Sequence, residues 1–373
     1  MFDANPVCAR HSIASSTNTG IINQAIPRPP PNTTTNSLSM GVNGQQVNVY
    51  SGYNKEPAPM GIADYGIGPN GAYQYATNSS VGIATINSLS TKNSSSSSSM
   101  TIQLNVNLAF TSNGKQYVYW IQDVAIIDTS SNEVYFENNI WNFSASNAGL
   151  SSSGITGSGQ VYTQSGYQYY AVLASPLLSG NYIFLHYPAT ITLNVTCGVN
   201  IGGQPTVSFA YEDGFGLKTY DTVTFITSYP VTSFSGFVVN GYNYNPTGYL
   251  FYDSELILGG PGGGLNTALI QSDVQLQLEY WNGHNYQMIT NAYNFGSDTA
   301  EGISNTQSQA YYYTDTGQMF AWIQPGSGSL SDLYSQTKVG TITVMTSLLS
   351  GTLIRNQRIY FNCQSMANFL FQR

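Results

Sequence analysis

Strand patterning dominates the chain from about residue 47 onward. In the clearest run, apolar side chains alternate with polar or small ones at Ile102, Leu104, Val106, Leu108 and Phe110. This two-residue period is that of a half-buried β-strand. An Asn-Gly turn at 113–114 follows, and the runs 117–128 and 134–143 are rich in β-branched and aromatic residues. The order predicts a β-meander.

The pattern recurs later in the chain. The run 274–290 repeats the order of 102–121, with an alternating strand, an Asn-Gly turn and a Tyr on the return strand. We therefore predict an all-β protein of two related β-sandwich lobes with long loops and little helix, at 47–245 and 246–373. The alternative, that one Asn-Gly hairpin resembles any other, stays open. Residues 1–46, rich in Pro, Thr, Ser and Asn, predict an extended N-terminal arm or pro-segment.

The low charge content favours an acidic medium. Only 8% of the residues are charged, against roughly 25% in ordinary soluble domains. The 29 Tyr, 16 Phe and 4 Trp argue against disorder, because disordered segments are poor in aromatic residues. In strong acid the 18 carboxylates become neutral and only the 10 Lys and Arg and 3 His carry charge, so self-repulsion stays mild. A glycan-coated surface protein working at neutral pH is the alternative.

Several features bear on location and partners. The sequence holds five glycosylation sequons, at Asn32, Asn78, Asn93, Asn142 and Asn194, which favour an exported glycoprotein. The first residues lack a charged-then-apolar leader, so we expect that a signal was removed before this numbering or that the chain is intracellular. No run approaches the roughly 18 apolar residues of a membrane span. The net charge of −8 without a basic patch disfavours nucleic acid. We expect a secreted or cell-surface monomer.

Cysteine, histidine and glycine motifs offer little chemistry. Cys197 and Cys363 lie in strand-like runs and could form a disulfide in an oxidising compartment, which leaves Cys8 unpaired. The three His are scattered, so no metal is expected. The glycine-rich run 66–71 lacks the strand-to-helix context of a nucleotide site, so we expect no cofactor. The run 259–264 is either a hinge or a side-chain-free surface that a peptide can approach.

Catalysis in acid must rely on carboxyl groups. No Ser/His/Asp set or Gly-x-Ser-x-Gly elbow occurs, and a His base would be protonated at low pH. Two coupled carboxyls avoid this problem, because repulsion lets one ionise while its neighbour keeps a proton. The pepsin-type Asp-Thr-Gly motif occurs once, at 315–317, and Asp128-Thr129-Ser130 is an imperfect partner. Two surface turns are the simpler interpretation of these motifs.

Longer motifs are more specific. They are EPAPMGIADYGIGPNG (56–71), YWIQDV (119–124), ENNIWNFS (137–144), LGGPGGG (258–264) and, within 279–304, EYWNGHNY and NAYNFGSDTAEGIS. In this order and spacing, over about 53–304, the chain resembles the thermopsin family of acid endopeptidases from thermoacidophilic archaea. The resemblance implies an exported peptidase active in hot acid, grouped with aspartic-type peptidases by inhibitor behaviour yet without paired pepsin motifs.

Carboxylates inside these motifs are the candidate catalytic residues: Asp64, Asp123, Glu137, Asp298 and Glu301. Asp123 ranks high because its apolar neighbours predict burial, which would raise its pKa. Asp298 and Glu301, three residues apart, are the closest acidic pair within the matching motifs of the second lobe. Our first hypothesis joins Asp123 or Glu137 with Asp298 or Asp64. Asp253 and Glu255 are further candidates.

The sequence thus predicts a two-lobed acid endopeptidase with carboxyl-assisted attack of water on the peptide bond. We expect polypeptide substrates with bulky apolar side chains, and the candidate substrate-binding residues are Gly262, Gly263, Trp120, Trp281 and Tyr65. A β-sandwich glycosidase would also use two carboxylates and aromatic platforms. A non-catalytic cell-surface protein or adhesin would leave the candidate carboxylates dispersed on the surface.

Overall fold

The chain is β-sheet almost throughout the part that the structure describes. This computed structural model describes residues 38–42, 45–49, 60–68, 70–93, 98–145, 148–164, 167–172, 182–212, 214–243, 252–261, 267–294, 303–313 and 318–328. Within these ranges the regular helical structure is a single 3₁₀ turn at Gly241–Asn243. None of the described residues forms a helix long and apolar enough to cross a bilayer. The predicted all-β class with little helix is confirmed.

The described residues form 24 strands. In chain order they are β1 (Leu38–Val42), β2 (Gln45–Val49), β3 (Gly61–Asp64), β4 (Ile67–Gly68), β5 (Gly71–Ala72), β6 (Gln74–Thr77), β7 (Ser79–Asn93), β8 (Ser99–Ser112), β9 (Lys115–Asp128), β10 (Glu133–Asn142), β11 (Ile155–Thr156), β12 (Gln160–Gln164), β13 (Tyr167–Val172), β14 (Tyr182–Phe184), β15 (Ala189–Val199), β16 (Pro205–Glu212), β17 (Leu217–Phe225), β18 (Val231–Asn240), β19 (Ser254–Gly259), β20 (Thr267–Trp281), β21 (Tyr286–Met288), β22 (Ile303–Ser304), β23 (Thr306–Tyr313) and β24 (Gln318–Pro325).

Two ten-stranded sheets carry most of these strands. The front sheet runs β12-β13-β10-β9-β8, and β14 also pairs with β10. Two strands pair with the far edge of β8: β18, which pairs in turn with β6, and β19, which pairs in turn with β3. The back sheet runs β11-β17-β16-β15-β7-β20-β24-β23, with β21 and β22 on β20. Two small hairpins, β1-β2 and β4-β5, stand apart.

The predicted meander is the centre of the front sheet. Strands β8, β9 and β10 pair antiparallel in sequence order. Asn113 and Gly114 join the first two with φ angles of 50° and 70°. Both angles are positive, as the tight Asn-Gly hairpin turn requires.

The core lies between the inner faces of the two sheets. The alternating residues of β8, among them Leu104 and Val106, are buried there with Leu193 of β15 and Leu276 of β20. A Cβ atom on Gly82 would lie 2.5 Å from Leu256 Cδ1. A side chain at position 82 would therefore displace Leu256 where β7 approaches β19, and one continuous core joins both sheets.

Strands from both predicted lobes contribute to each sheet. From the range 246–373, β19 pairs with β8 and β20 pairs with β7. The hairpin β1-β2 lies where the predicted arm 1–46 meets the predicted first lobe. The lobe boundaries themselves stay a prediction.

Candidate active site

A row of polar side chains crosses the outer face of the front sheet. Glu255 on β19 pairs directly with Asn105 on β8. Asn105 pairs in turn with Gln122 on β9, and Gln122 pairs with Asn139 on β10. Direct cross-strand partners place their side chains on one face. All four side chains are buried. We call these four residues the polar row.

A second carboxyl group joins the row at one end. Asp253 lies immediately before β19 and two residues before Glu255, so both side chains point to the same face. Asn107 Nδ2 donates a hydrogen bond of 2.6 Å to Asp253 Oδ1. Asp253 and Glu255 also share a side-chain hydrogen bond. We call Asp253 and Glu255 the carboxyl pair.

The carboxyl pair must hold a proton. Two ionised carboxylates have only acceptor oxygens, so a hydrogen bond between them requires one to be protonated. Burial, and then the charge of Glu255, raise the pKa of Asp253 well above its ordinary 3.8. This is the arrangement in which one acid ionises while its neighbour stays neutral.

A chain of hydrogen bonds fixes the orientation of the row's amides. Trp141 Nε1, which can only donate, lies 3.0 Å from Gln122 Oε1. Gln122 Nε2 must therefore face the other way, where it donates to Gln103 Oε1 at 3.1 Å and Asn105 Oδ1 at 3.3 Å. The Nδ2 group of Asn105 is consequently directed away from Gln122.

Three polar atoms on this face are buried without a hydrogen-bond partner among the described residues. They are the donor Asn105 Nδ2 and the acceptors Asn107 Oδ1 and Asn139 Oδ1. A buried polar group without a partner costs roughly 1–3 kcal/mol. Unpaired groups of both kinds beside an acid pair indicate a surface able to bind a peptide backbone.

Apolar side chains flank the row on both sides. Towards one end of the strands lies the aromatic cluster, formed by Trp120, Trp141, Tyr169, Phe143 and Tyr162. Trp141 stacks on Tyr169 with ring centroids 4.6 Å apart. Towards the other end lies the apolar cluster, formed by Val124, Ile126 and Tyr135. The site is thus a polar strip with an apolar surface on each side.

Comparison with known proteins identifies the family. The model of the thermopsin family matches residues 45–306. The thermopsin of Sulfolobus acidocaldarius is 35% identical over 285 residues, which cover 74% of this chain and 82% of that protein. The chain belongs to the thermopsin family. Membership confirms the resemblance and the predicted enzyme class, an acid endopeptidase.

Remote structural likenesses add nothing at residue level. A crystal structure of scytalido-glutamic peptidase with a peptide-based transition-state analog covers 73% of this chain and 100% of its own, at 11% identity and a TM-score of 0.30. A second, with a transition-state analog inhibitor, has the same coverage at 9% identity and a TM-score of 0.33.

Two of the predicted catalytic residues lie on opposite faces of the front sheet. Glu137 is buried on the outer face, opposite Val124. It is three strands from Glu255, or roughly 14 Å at the usual strand spacing. Asp123 is on the inner face and fully buried, with Oδ1 2.7 Å from the hydroxyl oxygen of Tyr220. The described residues therefore do not bring these two acids together.

Asp64 is buried at the end of β3, within a group of tyrosines. Its carboxylate accepts hydrogen bonds from Tyr73 at 2.5 Å, Tyr75 at 3.0 Å and the Gly66 amide at 2.8 Å. Burial raises its pKa from 3.8 to about 6, although those hydrogen bonds act in the opposite direction. Asp64 lies opposite Ser254, on the face away from the carboxyl pair.

Asp64 predicts a loss of stability as the pH rises. The folded protein holds the Asp64 proton more tightly than the unfolded chain does. The contribution of this proton to the free energy of unfolding is therefore complete below pH 3.8 and is lost as the pH passes about 6. The shift corresponds to about 3 kcal/mol. We expect Asp64→Asn to raise the free energy of unfolding by up to that amount at about pH 7 and to leave it unchanged at about pH 3. Chemical denaturation at both pH values measures this.

Asp128 supplies a control of opposite sign. Partial burial acts to raise its pKa, but hydrogen bonds from Ser98 and Ser130 outweigh it and lower the pKa. Asp128→Asn should therefore reduce stability near neutral pH rather than raise it. If Asp64→Asn, like Asp128→Asn, were less stable than the wild type near neutral pH, the raised pKa of Asp64 would be contradicted. Asp128 is the last residue of β9, directly before the turn that leads to β10.

The remaining predicted residues are spread over the molecule. Trp120 is in the aromatic cluster, and the Tyr65 ring contacts Tyr293, which bridges to β3. Trp281 ends β20 on the back sheet and contacts Tyr286. Cys197 is half-buried in β15, with Sγ 3.8 Å from Thr77 O. Outside the described residues lie Asp298, Glu301, Gly262, Gly263, Asp315 and Cys363.

Sequence reasoning missed the amides of the polar row. The alternation in β8 predicts that Gln103, Asn105 and Asn107 lie on the solvent side of a half-buried strand, whereas all three are buried. The available signal was that β8 and β9 carry neutral amides and Trp on their polar side rather than charges. Asp253 and Glu255 are among the further candidates, and their spacing of two beside a strand is the signal that would have joined them as a pair.

Proposed function

We propose that this thermopsin-family protein hydrolyses peptide bonds in acid through the carboxyl pair, with Asn105 binding the oxyanion. One observation carries this proposal. A buried pair of hydrogen-bonded acids, Asp253 and Glu255, lies beside a buried amide donor, Asn105 Nδ2, that has no partner among the described residues.

The pair can supply both proton transfers. Its ionised member takes a proton from water as the water oxygen bonds to the carbonyl carbon. The carbonyl oxygen becomes negative and accepts a hydrogen bond from Asn105 Nδ2. As the carbon–nitrogen bond breaks, the protonated member gives its proton to the leaving amine. The pair ends the cycle with one proton, as it began, and no covalent intermediate forms.

The chemistry of the site suits acid. The pair works only while it holds one proton, and burial favours retention of that proton. Asn105 and Gln122 are neutral amides that do not titrate, so the oxyanion site keeps its geometry at low pH. A histidine-based site would lose its base under the same conditions.

The flanking clusters support a preference for bulky apolar residues. Trp120 and Val124 lie two residues to either side of Gln122, about 7 Å away along β9. A peptide lying along the strands would cross the polar row with one side over the aromatic cluster and the other over the apolar cluster. Both sides of the cut would then accept large apolar side chains.

This placement predicts that each cluster governs one side of the cut. Trp120→Leu should reduce kcat/KM about tenfold for substrates whose large residue lies on the side of the scissile bond that faces the aromatic cluster. Val124→Ala should have the same effect on substrates whose large residue lies on the side that faces the apolar cluster. Mass spectrometry of the products of a peptide library measures both preferences. Variants that alter the same side, or neither, would contradict the placement.

We further propose that the protein works outside the cell or at its surface, in hot acid, after loss of a pro-segment at residues 1–46. The low charge content supports an acidic medium. Asn78 is an exposed sequon, whereas Asn142 and Asn194 are buried, so Asn78 is the better glycan acceptor of these three. The polar row is also buried, so part of the chain must move before a substrate reaches it.

Cleavage of a denatured protein tests the function. The purified full chain should release peptides at about pH 3 and elevated temperature, and far fewer at about pH 7. Equal activity at both pH values, or none at either, would count against the proposal. Release of sugar from glycans without release of peptides would favour the glycosidase.

A further inference from the structure

A β-bulge turns two neighbouring side chains into the interior. The register between β16 and β17 shifts after Phe209, which pairs with Asp221, whereas Ala210 pairs with Thr219. Tyr220 is therefore the extra residue of the bulge. Bulges re-aim side chains in this way. Both Tyr220 and Asp221 make hydrogen bonds with inner-face residues of the front sheet.

The hydroxyl of Tyr220 meets two acceptors. Its oxygen lies 2.7 Å from Asp123 Oδ1 and 2.7 Å from the backbone oxygen of Glu137. A phenol carries one hydrogen, so it can donate fully to only one of them. Both short contacts are hydrogen bonds only if Asp123 is protonated and donates to the phenol oxygen.

We propose that Asp123 and Tyr220 form a proton-dependent latch on β10. With Asp123 protonated, its O–H donates to Tyr220, and the Tyr220 O–H donates to the Glu137 carbonyl. When Asp123 loses its proton to solvent, the Tyr220 O–H donates its hydrogen bond to the Asp123 carboxylate instead. The Glu137 carbonyl then loses its hydrogen bond from Tyr220.

The latch adjoins the polar row, so its effect on activity rests on the proposed function. Asp123 follows Gln122 directly, and Glu137 lies two residues before Asn139. A shift of β10 against β9 would move Asn139 relative to Gln122. Asp123 and Tyr220 are therefore positioning residues on the inner face rather than groups that touch substrate.

The surroundings keep Asp123 neutral in acid. Burial raises the pKa of Asp123 well above the ordinary 3.8, and hydrogen bonds with Tyr220 and the Asn194 backbone amide only partly offset this. The latch is thus closed at low pH and opens as the pH rises. The other titratable or charged groups facing it are Asp221 on β17, Tyr170 on β13, Tyr211 on β16 and Lys218 beside Tyr211. The Glu137 side chain acts on Tyr220 electrostatically from the outer face of β10.

Infrared spectroscopy of the full chain reads the latch directly. Asp64 and the carboxyl pair also hold protons in acid, so we expect the protonated-carboxyl band to lose one component in Asp123→Asn and the same component to shift in Tyr220→Phe. Tyr170→Phe, which removes a buried hydroxyl bonded to Asp221 at 2.9 Å, is the matched control and should leave the band unchanged. If no component of the band is lost in Asp123→Asn, or if that component does not respond to Tyr220→Phe, the latch is wrong.

Kinetics test the consequence for catalysis. Tyr220→Phe should lower kcat about tenfold at about pH 3 with KM within about twofold. Asp123→Asn, whose amide can donate to Tyr220 permanently, should keep kcat within about twofold at that pH and retain activity to higher pH than the wild type. An unchanged kcat in Tyr220→Phe would overturn the positioning role.

The two proposals fail separately. A wild-type chain without peptidase activity at any pH would sink the proposed function, while the infrared comparison would still decide the latch. If Asp123→Asn does not fold, the shift of the Asp123 band in Tyr220→Phe still tests the latch.

Discussion

Replacement of Glu255 by Gln is expected to lower kcat at about pH 3 by about 10²–10⁴-fold. The substitution keeps the shape of the side chain and its hydrogen bond to Asp253, but removes one of the two groups that exchange protons with substrate and water. Asp253→Asn should have an effect of the same order, because the two acids act as a unit. Steady-state kinetics on a defined peptide, with thermal unfolding to confirm folding, measures this.

The control removes a buried carboxyl elsewhere. Asp273, on the back sheet, is buried and accepts a 2.9 Å hydrogen bond from Trp322 Nε1. Asp273→Asn should change stability more than kcat. A Glu255→Gln variant that keeps wild-type kcat, or an Asp273→Asn variant that loses as much, would show that the carboxyl pair is not the catalytic group.

Loss of the amide donor at Asn105 is expected to be the next largest effect. Asn105→Leu should reduce kcat by about 10²–10³-fold with little change in KM, because the hydrogen bond to the carbonyl oxygen strengthens as that oxygen becomes negative. Gln122 keeps its partner Gln103, so the rest of the row should hold its orientation.

A second buried amide provides the comparison. Gln275 Nε2 on the back sheet is also buried without a partner among the described residues. Gln275→Met removes a donor of the same kind far from the polar row. Equal losses of kcat in Gln275→Met and Asn105→Leu would assign the effect to folding rather than to the oxyanion.

Local patterns predicted the strands well because their causes are local. The alternation in β8 and the Asn113-Gly114 turn each fix structure within a few residues, and both were found as predicted. The polar row depends instead on register. Asn105, Gln122, Asn139 and Glu255 meet only because four strands pair in one alignment.

The candidate acids show what burial alone leaves undecided. Asp123 was predicted to be buried and is, but Gln122 and Asp123 are adjacent on a strand and point to opposite faces. The pattern gave no reason to choose the outer face as the functional one. The carboxyl pair lies outside the matching motifs, so the sequence ranks Asp253 and Glu255 only as further candidates.

Active-site labelling tests the central claim most directly. A peptide epoxide that esterifies an ionised carboxylate beside a protonated one should inactivate the enzyme in acid, and peptide mapping should place the label on Asp253 or Glu255. A bound substrate analog should protect both residues. Inactivating label on Asp64, Asp123, Glu137, Asp298 or Glu301 instead would contradict the account.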